Sequence, residues 1–151
     1  MNENYVHPPM PEGSAEGILK GMYKLHAAKD DKLKVQLLGS GTILREVEAA
    51  AVYLAEHHGI DADVWSVTSY SELRREGIAC ERWNTRHPLE VARQPYVADC
   101  LAAATGPVIA ASDYMRAVPE QIREWVPGHY RVLGTDGFGR SDSRRALRQH
   151  F

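Results

Sequence analysis

Apolar residues recur at two spacings along this chain, and the change from one to the other separates strands from helices. Ile43, Leu44, Val47, Ala51 and Leu54 keep the three-and-four spacing of a helix, with Arg45, Glu46, Glu48 and Glu56 elsewhere on the wheel. Thr42 stands at the N-cap position, and Gly59 stands where such a helix stops. Burying each large aliphatic side chain of this stripe is worth about 1.5–3 kcal/mol, so the helix requires a sheet to lie on. Short apolar runs supply one: Met22–Leu25, Lys34–Gly39, Asp63–Ser69 with Val64, Trp65 and Val67, Pro107–Ala111, and Tyr130–Leu133. Helical stretches alternate with them. They are Ala15–Lys20 capped by Ser14, Ser71–Gly77 with a continuation over Ile78–Arg86, and Tyr96–Ala104 ended by Gly106. Val118, Ile122, Trp125 and Val126 form one more stripe, with Pro119 in its first turn and Pro127-Gly128 behind it.

Strands alternating with helices predict an α/β domain with a mostly parallel sheet, right-handed crossovers and helices on both faces. Met22–Leu25 is separated from Lys34–Gly39 by the charged turn Lys29-Asp-Asp-Lys32, a length that permits a hairpin, and is the expected antiparallel edge strand. Residues 1–13 differ in kind: Pro8, Pro9 and Pro11 forbid regular helix and Gly13 closes the stretch. They read as an interdomain linker arm, which leaves residues 14–151 as the α/β domain.

A length of 151 residues suits one domain with a substantial core, and 44% hydrophobic with 25% charged residues is ordinary for a soluble globular protein. The net charge of -2 makes no electrostatic case for nucleic acid or an acidic membrane surface. No apolar run approaches membrane-spanning length, and Met1 is followed by polar Asn2, Glu3 and Asn4 in place of a signal peptide. Cys80 and Cys100 lack CxxC spacing and read as two free thiols in a reducing cytoplasm, with a disulfide as the alternative.

The candidate chemistry gathers where strands end. Gly39-Ser40-Gly41-Thr42, between a strand and a helix, is shaped like a phosphate-binding turn, but Leu44 occupies the place of the third glycine of the dinucleotide fingerprint. Asp113 and Asp136 each end a strand, at the edge where α/β proteins bind ligands; as turn or cap carboxylates they would satisfy backbone N–H groups instead. In the loop Gly134–Ser143, Phe138 is expected to fill the core or an interface. Arg140 belongs to the same loop, and Asp142 or Ser141 is expected to cap a last helix reaching Phe151. Arg144, Arg145 and Arg148 read as a solvated helix face. The histidines make no metal motif, no G-x-S-x-G occurs, His87 suits a structural hydrogen bond, and Trp65, Trp83 and Trp125 are spaced as core or interface residues.

Several longer runs carry a family resemblance. They are Asn2-Glu-Asn-Tyr5 with Met10-Pro-Glu-Gly13, Val35-Gln-Leu-Leu-Gly-Ser-Gly-Thr-Ile-Leu-Arg45, and Asp63-Val-Trp-Ser-Val-Thr-Ser69. Cys80-Glu-Arg-Trp-Asn84 with His87-Pro-Leu-Glu90, Ser112-Asp-Tyr-Met115 and Tyr130 through Arg144 continue the match. In these the chain resembles the C-terminal domain of the homodimeric bacterial pyruvate dehydrogenases, the decarboxylating first component of a multienzyme complex. The resemblance implies a transketolase-like third domain: three layers, with a five-stranded mostly parallel sheet and one antiparallel strand. It implies a parent enzyme that decarboxylates pyruvate with thiamine diphosphate and magnesium and reductively acetylates a lipoyl group on a dihydrolipoyl acetyltransferase core. The implied partners are the first and second domains of the same subunit and the second subunit of a homodimer.

The family's cofactor motif and catalytic residues lie before this segment, so no catalytic, cofactor-binding or metal residue is carried over. The role the resemblance implies is support of dimer assembly, without catalysis by this chain alone. Against the family's pattern, the chain starts in the connection from the second domain and stops where the family continues into further helical sequence. Tyr5, Val6, Leu147 and Phe151 are then expected to form a surface exposed by that excision and to promote self-association. The competing reading is a free-standing small-ligand or nucleotide-binding module using Gly39–Thr42 and Asp136–Arg140; a small hydrolase is the third.

Overall fold

In a computed structural model, residues 9–29 and 33–150 are described, apart from the side chains of Arg144 and Arg148. The elements run α1 (Ala15–Lys20), β1 (Met22–His26), β2 (Lys34–Gly39), α2 (Leu44–His58), β3 (Asp61–Val67), α3 (Tyr70–Arg86) and α4 (Tyr96–Leu101). They continue with β4 (Val108–Ala111), α5 (Ala117–Glu120), β5 (Tyr130–Leu133) and α6 (Arg144–His150). The five strands form one sheet in the order β1-β3-β2-β4-β5. The β2–β3, β2–β4 and β4–β5 pairs are parallel and β1–β3 is antiparallel. This is the expected three-layer, mostly parallel α/β architecture with one antiparallel strand.

The alternation of side chains along the strands sorts the core into two layers. On one face Val35, Leu37 and Val64 pack with Val47, Ile43, Leu44, Ala51 and Leu54, so the apolar stripe of α2 lies on the sheet as its spacing demands. On the other face Leu38, Trp65, Val67, Val108, Ala110, Tyr130 and Val132 join Leu73 of α3 and Val97 and Leu101 of α4. Ile122 and Val126, beyond α5, complete that layer.

β1 is antiparallel, as expected, but it pairs with β3 and makes no hairpin with β2. Both edges of β2 are taken by parallel neighbours, so β1 finds the free edge of β3, with Met22 opposite Val67 and Lys24 opposite Trp65. The junction is closed by Thr68 and Ser69, whose N–H groups donate to the Gly21 carbonyl.

Three local readings also change, while the expected continuation of the Ser71–Gly77 helix over Ile78–Arg86 holds. Gly41–Ile43 is a turn of 3-10 helix ahead of α2, so Thr42 is not its N-cap. Residues 70–86 form one continuous helix, capped at Ser69, whose hydroxyl accepts the Glu72 N–H at 3.0 Å. Ser14 precedes α1 without capping it; its hydroxyl donates to the Pro11 carbonyl at 2.7 Å. The stripe from Val118 to Val126 is split into α5 and a 3-10 turn over Arg123–Trp125. Across the split, the Arg123 guanidinium donates to the Glu120 carboxylate and to the Tyr130 carbonyl.

A polar knot ties the amino-terminal half of the sheet. Gln36 is fully buried in β2. Its amide donates to Asp63 Oδ2 at 2.9 Å and to the Thr105 carbonyl at 3.2 Å, while its carbonyl accepts from Trp65 Nε1 at 2.9 Å. Asp63 also accepts the Ala28 N–H at 2.9 Å and pairs with Lys24 at 3.3 Å. Burial acts to raise the Asp63 carboxyl, but the Ala28 N–H, the Gln36 amide and Lys24 outweigh it and hold the group below its ordinary value.

Close approach to a neighbouring ring requires the glycine at 77. A Cβ at Gly77 would sit 2.6 Å from the Trp125 ring, so the absent side chain is what lets Trp125 lie on α3. Trp125 Nε1 then reaches Glu81 Oε1 at 2.7 Å.

Two tests follow from this packing. In an open helix, Gly→Ala stabilises by about 1 kcal/mol. Here Gly77→Ala should instead lower the melting temperature by several degrees, because overpacking costs about 1–3 kcal/mol; a raised midpoint in a circular-dichroism melt would contradict the packing. For Asp63, the depressed carboxyl contributes stability that is present above the unfolded value of about 3.9 and is lost as pH falls through the lower folded value. Asp63→Asn should therefore cost about 1–3 kcal/mol at neutral pH, since an amide nitrogen must face a donor. The gap to the parent chain in denaturant midpoint should narrow in strong acid. A gap independent of pH would remove the charge from the account.

Candidate functional site

The chain order and the strand order part company at β2: the chain goes from β2 to β3 on one side, then returns to place β4 on the other. The crevice outside the carboxyl ends of β2 and β4 is the position where open parallel sheets bind ligands. Gly39, Ser40 and Gly41 leave β2 there, and Ala111, Ser112 and Asp113 leave β4.

Three of the expected site residues meet at this edge. Ser40 is buried and its hydroxyl donates to Ser112 Oγ at 3.0 Å. Ser112 Oγ also accepts the Tyr114 N–H at 3.1 Å, and the Ser40 N–H reaches the Ala111 carbonyl at 3.3 Å. Asp113 is exposed and turns its carboxylate toward Gly41. Asp136, past β5, accepts from Arg116 Nε at 2.5 Å and from the Arg116 N–H at 3.4 Å, while the Thr135 N–H donates to the Tyr114 carbonyl at 3.1 Å. The loops after β4 and β5 are thereby laced together through Arg116–Asp136 and Thr135–Tyr114.

The rest of the segment after β5 does not converge on the crevice. Phe138 is 99% exposed, so it does not fill this chain's core and only the interface half of the expectation is open to it. Arg140 lies 3.3 Å from His150 Nδ1. Asp142 is not the cap of α6: its carboxylate accepts the adjacent Ser143 N–H, and Ser143 Oγ accepts the Ala146 N–H at the capping position. Of the surface expected from excision, Leu147 is half-buried on α6, while Tyr5, Val6 and Phe151 lie outside the described residues.

Both cysteines are free. Burial, and after it the Glu76 carboxylate, push the Cys80 thiol up to about 11. The thiol donates to Glu76 Oε1 at 3.0 Å, while Glu76 Oε2 accepts the Tyr96 N–H. Burial likewise raises Cys100. Thiols held protonated in this way are poor nucleophiles at neutral pH. Within the described residues, no group of three or more His, Cys, Asp or Glu side chains could hold a metal ion, and no helix is long and apolar enough to cross a membrane.

One constellation escaped the sequence reading. Trp83, expected as core or interface, is the centre of a stack on the outer side of α3. His87 lies parallel to its ring at 4.4 Å between centroids, and the Arg93 guanidinium lies 4.0 Å from the ring centre. Asn84 holds the returning chain at Arg93 by two hydrogen bonds, at 3.0 and 2.8 Å. The signal was present in the spacing, because Arg75, Arg82 and Arg86 follow one another on α3 at seven and four residues, with Arg74 beside Arg75.

Comparison with known proteins adds the family. A family model described as the transketolase-like TK C-terminal domain matches residues 21–151. The pyruvate dehydrogenase E1 component of Pseudomonas aeruginosa is 61% identical over the whole of this chain, and that of Escherichia coli K12 is 58% identical over the whole chain. That of Mycobacterium tuberculosis is 54% identical over 99% of it. The match falls in the C-terminal part of these proteins, and the chain spans 16–17% of their length. The strand order, the single antiparallel edge and the extent of the match agree, and the chain belongs to the transketolase-like TK C-terminal domain family.

Proposed function

We propose that this chain is the C-terminal structural and assembly domain of a pyruvate dehydrogenase E1 component, and that it is catalytically silent alone. The observation that carries the reading is the identity of 58–61% running the whole length of the chain, against the C-terminal part of the relatives. The parent enzyme is a cytoplasmic homodimer that uses thiamine diphosphate and magnesium to decarboxylate pyruvate and passes the acetyl group to lipoyl groups of the acetyltransferase core.

The carboxyl edge of this domain does not fit that cofactor. A diphosphate at the turn after β2 would face the Asp113 carboxylate, and the serine hydroxyls beneath it already bond to each other and to backbone. The edge instead suits assembly. Tyr114, Met115, Leu133 and Phe138 expose 53–99% of their surface along it. Apolar groups left bare on a laced scaffold are what a neighbouring domain or subunit would cover. Ser40 and Asp136 act here by bracing these loops.

Titration calorimetry of the chain with thiamine diphosphate and magnesium should give no binding heat, and pyruvate should not be consumed. Either tight cofactor binding or turnover overturns the reading. Supplied in trans, the chain should co-purify with an E1 component truncated before the matching segment. Leu133→Ser combined with Phe138→Ser should weaken that recovery about tenfold or more, as loss of a central apolar anchor does.

A further inference from the structure

The outer side of α3 carries a concentration of positive charge that the net balance of the chain conceals. Arg74, Arg75, Arg82, Arg86 and Arg93 line one groove of about 610 Å³, five of the 18 basic residues in a chain of net charge -2. All five are exposed. Arg75 is paired with Glu72 and Arg93 is held on Trp83. Arg74, Arg82 and Arg86 have no carboxylate partner among the described residues. The acids of α3 nearest in sequence are spent elsewhere, Glu76 on Cys80 and the Tyr96 N–H, and Glu81 on Trp125.

Arg82 and Arg86, one helical turn apart, repel each other, and an anion in the groove relieves that repulsion. Between them the floor is apolar, formed by Ile78 and Ala79, and the Trp83 stack closes one end. The loop beyond His87 also holds Leu89 and Val91 almost wholly exposed, at 99% and 91%. Arg74 and Arg86 are twelve residues apart on the helix, which is about 18 Å. A single phosphate meets one or two guanidinium groups, whereas an extended peptide of about five or six residues spans that length.

We propose that the α3 groove docks an acidic peptide segment of another polypeptide, with carboxylates on the arginines and at least one apolar residue on the Ile78–Ala79 floor. A second copy of this chain fits poorly, because no six-residue stretch of it holds more than two acidic residues. The proposal is independent of the assembly role, which rests on the carboxyl edge of the sheet.

The test is fluorescence anisotropy with a labelled hexapeptide of glutamate and aspartate carrying one central leucine. Its glutamine and asparagine counterpart, tripolyphosphate and a single-stranded oligonucleotide are the comparators. The acidic peptide should bind with a Kd on the order of tens of micromolar at low salt. Binding should weaken at least tenfold in the double variant Arg82→Glu/Arg86→Glu, weaken steeply as salt rises, and be absent for the neutral peptide. The exposed positions should leave the melting curve unchanged, which separates lost docking from lost fold. Equal binding by the double variant overturns the proposal. So does tighter binding of tripolyphosphate or oligonucleotide, or a concentration-dependent dimer that the same substitutions abolish.

Discussion

The burial of one amide side chain organises the sheet. Gln36 sits in the central strand with its donor and acceptor both satisfied, by Asp63, Thr105 and Trp65. A buried amide without partners costs more than a hydrogen bond returns, so the fold is viable only when β3 and the loop before β4 are in register with β2. The same carboxylate takes the Ala28 N–H beyond β1, which draws the antiparallel edge strand into the arrangement. One polar group thereby specifies how four parts of the chain meet, where an apolar residue of the same size would accept several registers.

The opposite end of the sheet is settled by smaller groups. Ser40 and Ser112 bridge the diverging ends of β2 and β4, and Arg116 and Asp136 close the next interval. Both members of the second pair are about half exposed, so that bridge contributes little to stability and mainly holds loop geometry. Together the two bridges tie the loops at this end of the sheet to one another. Among the described residues, side chains without such partners lie on surfaces: exposed apolar residues at and beyond β4 and β5, and Arg74, Arg82 and Arg86 of α3. Both kinds of surface are suited to contact with other polypeptides.

The strands and the α2 stripe were legible because burial on a sheet face imposes a period that residue types reveal directly. Val35, Leu37, Val64 and Val47 declare one layer, and Leu38, Val67, Val108 and Val132 the other. The ends of elements were less legible. Thr42 has the chemistry of a cap, yet Gly41 at φ +56 starts a 3-10 turn that moves the helix start to Leu44. Ser143 won over Asp142 because capping depends on which hydroxyl the backbone turns toward the third N–H, and neighbouring residue types do not reveal that.

By itself the sequence determined the strand and helix succession, the parallel character of the sheet, the single antiparallel edge and the family, since each follows from local periodicity or from contiguous runs of residues. Only the tertiary structure decided that β1 lies on β3, that Ser40 meets Ser112 across 72 positions, and that five arginines share one groove with the Trp83 stack. The reason is physical. Pairing partners, crevices and charge patches depend on which distant segments occupy the remaining edge or face, and that competition is resolved only when the whole chain packs.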